Sequence, residues 1–383
     1  MNVDIINFSV GGFPRDEFEL MKKMVEKHGI IILNAAGNDG PITFSHDELN
    51  EYQNCVLNIG SCLSSETKHI LYNINYDKAY VPPIVSPFSS QGPMHQSGGC
   101  GVTLVAPGHG VAEMPRHYSY KTQLYAATSY CCPNAVGAIL CLISGLKAKS
   151  IPITFLKIKL AIINTAFLPK NGCKLSFGNG IIQIKSAFKF YVKNLNNFPI
   201  QITNITASLI EKNMLWKKLW DNSDCKSGIT LKVTDKNKKI YNYVVKINVN
   251  SNFSNENLIK IKWILKLSKN AETFIKGLST VNDNDEFSFN IDITELKGNS
   301  INYAEIIGFD SSNLFWGPLL YFSITIIIPK NFYETEKIDE IIELNSIFLY
   351  RLFIPPFSSE ICRFFVQLKC LEEEEVEVQV KFS

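Results

Sequence analysis

Strand-length apolar runs alternate with helical patterns across the first 190 residues, and no other feature constrains the fold as tightly. Val3–Val10 reads as a mostly apolar strand stopped by Gly11-Gly12. Asp16–His28 then places Phe18, Met21 and Val25 on one helical face. Gly29–Asn34 and Val56–Gly60 read as buried strands, with shorter strands around Ile84–Phe88 and Val102–Val105. Helices are expected from Ser129 to Leu146 and from Thr154 to Ala166. Such alternation defines an α/β unit: a mainly parallel sheet with helices on both faces.

From Val192 the pattern changes to short alternating runs in a stretch rich in Asn, Lys, Ile and Ser. Ile202–Leu209, Ile229–Val233, Tyr241–Val249 and Phe287–Ile293 are examples, separated by clusters such as Asn282-Asp283-Asn284-Asp285. That spacing is expected to give an antiparallel β-sandwich. Val376–Phe382 alternates strictly and reads as one more strand, preceded by a solvated acidic turn at Glu372–Glu375. The expected division is therefore 1–192, 193–330 and 331–383. The polar stretch Lys193–Asn197 marks the first boundary, where limited proteolysis is expected to cut. The chain opens and closes inside a strand, so both ends are expected to be truncated.

A net charge of +2 gives no attraction for nucleic acid or an anionic membrane surface. The first residues lack a basic region followed by an apolar one, so they do not read as a secretion signal. No uninterrupted apolar run reaches the roughly 18–20 residues of a bilayer span. The ten cysteines have no Cys-x-x-Cys pair or regular spacing, and Cys131 and Cys132 are adjacent. Free thiols in a reducing, cytoplasmic setting are expected, with no metal or other cofactor.

Chemistry concentrates in two segments, Ala35-Ala36-Gly37-Asn38-Asp39-Gly40-Pro41 after a strand and Ala127-Thr128-Ser129 before a long helix. Alone, the first is an ordinary turn composition and the second an ordinary helix cap. Together they say more. A serine at a helix N-terminus lies in a positive partial field, and a side-chain amide on a neighbouring strand-end loop can donate to an oxyanion.

With that pair in view, the chain resembles the subtilisin-like serine peptidases. Asn7-Phe8-Ser9-Val10-Gly11 is similar to the family's substrate-edge strand, and Ala36-Gly37-Asn38 to its oxyanion loop. Ser89-Ser90-Gln91-Gly92-Pro93 and Ala106-Pro107-Gly108 resemble two connecting motifs. Thr128-Ser129 with Pro133 resembles the nucleophile turn, and Phe177–Ile182 the closing segment. Pro133-Asn134-Ala135, Ser144–Ala148, Tyr303–Asp310 and Gly317-Pro318-Leu319 look like the tripeptidyl peptidase II branch. The resemblance implies Ser129 as nucleophile and Asn38 as oxyanion donor. Ser9, Val10 and Gly11 would pair with the substrate backbone, while Ala36 and Gly37 line the pocket. It also implies peptide substrates, a cytoplasmic homo-oligomer and removal of tripeptides from free N-termini.

The family's Asp-Ser/Thr-Gly and His-Gly-Thr motifs do not occur in this sequence. The six histidines, His28, His46, His69, His95, His109 and His117, read as surface or loop residues. Asp4 lies in a strand without the required turn and is given no catalytic role. Ala127 replaces the usual glycine before Thr-Ser, and Cys131 offers a second nucleophile without a basic neighbour. The chain by itself is thus expected to be inactive, and an inactive scaffold subunit of a large assembly is the alternative.

Overall fold

The computed structural model describes residues 3–9, 18–45, 55–72, 82–94, 97–112, 124–210, 227–233, 237–251, 260–298 and 300–328. Val10, Gly11, the segment 331–383 and the histidines at 46, 95 and 117 lie outside the described residues.

A five-stranded sheet organises the first part. Its strands are β1 Ile5–Phe8, β2 Ile31–Ala35, β3 Val56–Leu63, β4 Ile84–Val85 and β5 Leu104–Pro107. β1, β2, β3 and β5 pair in parallel, while β4 meets the end of β3 in antiparallel fashion. Between β1 and β2 runs α1, Phe18–His28, which buries Met21 and Val25. It stops where Gly29 takes φ 65°, the left-handed conformation that ends helices, with its N–H returning to Val25 O at 3.1 Å. The short helix α2, Ser65–Tyr72, follows β3, and β6 Val111–Ala112 pairs with β7 Leu124–Tyr125.

The main covering element is α3, Thr128–Ala148, which packs on β1, β2, β3 and β5. It has 21 residues and a window of mean hydropathy 1.5, enough by length and composition to cross a membrane. It holds no uninterrupted apolar run of that length, because Asn134, Gly137, Ser144, Gly145 and Lys147 interrupt the sequence without breaking the helix. Here α3 serves as a core helix, burying Cys131, Ala135, Ile139, Leu142 and Leu146. A second cluster, with Cys62, Val102, Val105 and Phe177, fills a separate part of the interior. The closing segment follows α4 Phe155–Thr165 and contains α5 Lys174–Phe177. Gly180 O accepts the Val105 N–H at 3.0 Å, which fastens that segment to β5. α6, Ile184–Asn194, completes the helical layer against α3 and α4.

The architecture changes after α6, near the expected boundary. β8 Ile202–Leu209, β10 Ile240–Ser251, β12 Ile275–Lys276 and β13 Glu286–Asp292 form one four-stranded sheet. β9 Gly228–Lys232, β11 Trp263–Leu267, β14 Ser300–Asp310 and β15 Leu320–Ile328 form another. Phe322 stands edge-on to Phe287 and Phe289, with ring centroids 6.3 and 6.4 Å apart, so aromatic rings join the two sheets. The expectation of purely antiparallel pairing fails at one place, because β9 runs parallel to β15. Alternation of side chains is the same for either direction, so the sequence pattern carries no sign of it.

One hydrophobic cluster runs through both parts, from Ile31 and Leu104 to Phe289 and Phe322. Leu195, inside the polar stretch at the boundary, and Phe198, just beyond it, are buried within that cluster. Phe198 meets Trp316 edge-on at 5.0 Å. Asn164 on α4 donates to Pro318 O at 2.9 Å and accepts the Tyr321 hydroxyl at 2.8 Å. The two parts thus share their packing.

Candidate active site

Because β1, β2 and β5 are parallel, their carboxyl ends meet along one edge, where the candidate residues gather. Beyond β2, Ala36 is buried and donates its N–H to Ile59 O at 2.9 Å. Gly37 takes φ 102°, a conformation a side chain would strain. Asn38 follows, exposed at the tip of the turn.

Thr-Ser was expected to cap its own helix. Instead Ala127 occupies the cap position, has no side-chain oxygen, and makes no capping bond. The cap is supplied from 90 residues away: Asn38 Oδ1 accepts from both Thr128 N and Thr128 Oγ1, each at 2.9 Å. A carboxamide has one acceptor oxygen and one donor nitrogen. Both bonds fall on the oxygen, so neither of them uses the NH2, and the residue they anchor to is the chain neighbour of Ser129. Ser129 itself is the second residue of α3, half-buried, in a first turn without acidic side chains. The positive end of the helix favours negative charge there. Ala127 sits at φ −168°, extended backbone open to any residue, so its methyl does not disturb the turn.

Ser9 lies just past the end of β1, on the same edge, and its hydroxyl exchanges hydrogen bonds with Asn7 at 3.0 and 3.2 Å. The structure therefore brings Ser9, Ala36, Gly37, Asn38 and Ser129 to one edge of the sheet. Asp4 instead forms an exposed ion pair with Lys147 at 2.7 Å, of a kind that contributes little.

The second nucleophile is ruled out by its surroundings. Cys131 is 0% exposed, and its thiol donates to Thr128 O at 3.0 Å. Burial pushes its pKa well up, and that of Cys132 to about 12, so neither offers a thiolate near neutral pH. Every described cysteine is free. Among the described residues no cluster of His, Cys, Asp and Glu is arranged to hold a metal ion.

Of the described histidines, His28 is exposed at the end of α1, and neither it nor His109 bonds to Ser129. His109, after the Ala106-Pro107-Gly108 motif, was read only as a loop residue. Its Nε2 lies 2.6 Å from Ser86 Oγ, which in turn meets Ser61 Oγ at 2.8 Å, and its ring lies 5.2 Å from Phe88. Burial lowers its pKa below the ordinary 6.5. As pH falls below that value the unfolded chain takes up a proton first. Stability from the neutral ring is therefore complete above about 6.5 and is lost as pH falls toward the folded-state pKa. Urea midpoints of the wild type should drop between pH 7.5 and 5.5 more than those of His109→Asn; equal drops would contradict this account.

Sequence reasoning missed Thr128 and Ser90 as supports for Asn38. A threonine before the helix was visible, but the partner of its hydroxyl lies far away in the chain. Ser90 is wholly buried, donates its N–H to Gly37 O at 3.0 Å and accepts the Asp39 N–H at 3.1 Å. It holds the residues on either side of Asn38.

Residues 1–180 match the subtilase family, Peptidase_S8. Over a longer stretch the chain is similar to tripeptidyl-peptidase 2 of Caenorhabditis elegans, with 27% identity over 344 residues. That match covers 86% of this chain and 24% of the relative. The Arabidopsis thaliana tripeptidyl-peptidase 2 is 26% identical over 348 residues, again covering 86% of this chain and 24% of the relative. The crystal structure of tripeptidyl peptidase 2 superposes with a TM-score of 0.65 at 21% identity, covering 87% of this chain and 25% of that one, so the fold is shared. The chain spans about a quarter of the length of these relatives.

Proposed function

We propose that this chain supplies the nucleophile and the oxyanion donor of a serine peptidase that removes tripeptides from free peptide N-termini. The observation that carries the reading is the Asn38 carboxamide, anchored through its oxygen to Thr128, the chain neighbour of Ser129. Ser129 Oγ attacks the scissile carbonyl carbon, and the C–O bond forms as its proton passes to a base. Negative charge gathers on the carbonyl oxygen, opposite Asn38 Nδ2 and the start of α3. The C–N bond then breaks, the amine leaves with the proton, and water releases the tripeptide from the acyl-enzyme. Ser9, Val10 and Gly11 pair with the substrate as an added strand, and Ala36 and Gly37 border the scissile bond.

The sequence has no Asp-Ser/Thr-Gly or His-Gly-Thr motif, so the base and its orienting carboxylate come from a separate segment or chain. The same fact favours a second reading, an inactive subunit kept for assembly. A cytoplasmic homo-oligomer acting on peptides, without a cofactor, nucleic acid or membrane, belongs to the first reading. The two later sheets are read with it as a β-sandwich. The similarity to tripeptidyl-peptidase 2 supports the peptidase reading.

The test supplies the chain with a polypeptide bearing both missing motifs and offers a tripeptide anilide with a free amino group beside its N-acetyl form. Cleavage of the free form alone is expected. Equal cleavage of both would refute the exopeptidase reading. No cleavage, with a large assembly by sedimentation, would favour the scaffold.

A further inference from the structure

The segment Tyr303–Asp310 takes no part in the proposed chemistry, yet it buries a carboxylate. Glu305 is 4% exposed, an environment a carboxylate occupies only with charge and hydrogen-bond partners. Its Oε2 lies 3.2 Å from Lys174 Nζ, and its Oε1 accepts the Tyr303 hydroxyl at 2.8 Å. Lys174 also donates to Asn179 Oδ1 at 3.0 Å and faces the Tyr321 ring at 5.4 Å. The pair therefore pins α5 and the turn after it to β14 and β15.

The backbone of α5 holds a second structure. Leu175 O accepts the Gly92 N–H at 2.9 Å, and Lys174 O accepts the Cys100 thiol at 3.1 Å. Both donors belong to the loop whose described residues are 86–94 and 97–101. At its far end a Cβ on Gly98 would lie 2.6 Å from the backbone of Gly228 in β9, so the loop is wedged against the β-rich part there as well. Two residues before Gly92 stands Ser90, with its two bonds around Asn38. A Cβ on Gly37 would lie 2.7 Å from Ser90 Oγ, so the two loops touch. Gly40 N donates to Phe88 O at 2.8 Å and completes the join.

We infer that Ser90 and the ion pair of the buried Glu305 with the half-buried Lys174 are positioning residues for Asn38. The ion pair fixes α5, α5 fixes the loop that holds Ser90, and Ser90 carries that placement to the donor amide. The inference deepens the proposed function and rests on Asn38 as oxyanion donor. A donor works only when held within a few tenths of an ångström of its place. On this account the β-rich part sets the geometry of a site that it does not line.

The experiment uses the full chain labelled with 15N-asparagine, with the Asn38 side-chain signals assigned by their loss in Asn38→Ala. Ser90→Ala, Glu305→Gln and Lys174→Met should shift those signals and raise backbone hydrogen exchange over residues 36–40 by roughly tenfold. Lys174→Arg, which keeps the charge, should restore the wild-type signals. Ile291→Val, a mild core change in β13, should leave them in place while lowering stability. If the Glu305 variant does not fold, Lys174→Met and Lys174→Arg still decide the matter. Unmoved Asn38 signals in Lys174→Met, or equal movement in Ile291→Val, would overturn the inference. No turnover is read, so failure of the complemented protein to cleave peptides would refute the peptidase reading and leave this test standing.

Discussion

Fluorophosphonate labelling of Ser129 is expected to stay at background in the chain alone and to become strong once a segment bearing the family's histidine is supplied. Neither described histidine with a defined side chain bonds to Ser129, and no His-Gly-Thr motif occurs in the sequence. A serine hydroxyl without a base is a weak nucleophile, and removal of the histidine in subtilisin costs on the order of 10⁶ in turnover. In the complemented protein Ser129→Ala should abolish labelling. Cys131→Ala should leave it intact, since that thiol is buried and bonded to Thr128 O. Strong labelling of the chain alone would mean that a histidine already reaches Ser129.

A second large effect is expected at Asn38, with activity and stability moving separately. Asn38→Ala removes the NH2 and should lower kcat by roughly 10²–10³ with little change in KM, the magnitude known for the subtilisin oxyanion asparagine. It also removes the acceptor for Thr128 N and Thr128 Oγ1, a capping loss of about 1 kcal/mol. Asn38→Asp keeps that acceptor and adds charge favoured at a helix N-terminus. It also places a carboxylate where the oxyanion forms. The aspartate variant should therefore be at least as stable as the wild type and at least as inactive as the alanine variant. Urea midpoints and kcat for all three proteins test this order. An alanine variant with wild-type stability would remove Asn38 from its capping role.

Much of this arrangement was legible in the sequence because it is local. Apolar runs located β2 and β3, and α4 falls within a residue of its expected bounds. The order of short motifs located the loop at Asn38 and the turn at Ser129. What escaped was long-range. Asn38 caps a helix that begins 90 residues later, and Glu305 finds Lys174 across the fold. Neither partner leaves a mark on the other's neighbours in the chain. Ser90 reads in the sequence only as part of a connecting motif, and its two bonds around Asn38 emerge from the fold. The direction of β9 was hidden for a different reason, since strand alternation does not encode which way a neighbour runs.

The shared interior has an evolutionary consequence. Phe198 against Trp316, and Asn164 between Pro318 and Tyr321, tie the α/β part to the later strands. An α/β part joined in this way is not a free-standing cassette. Recombination that exchanged the strands after Ile202 alone would expose the flank formed by α4 and α6 and leave Asn164 facing a stranger's backbone. Inheritance should instead conserve the junction as a matched pair, with changes on one flank answered by changes on the other.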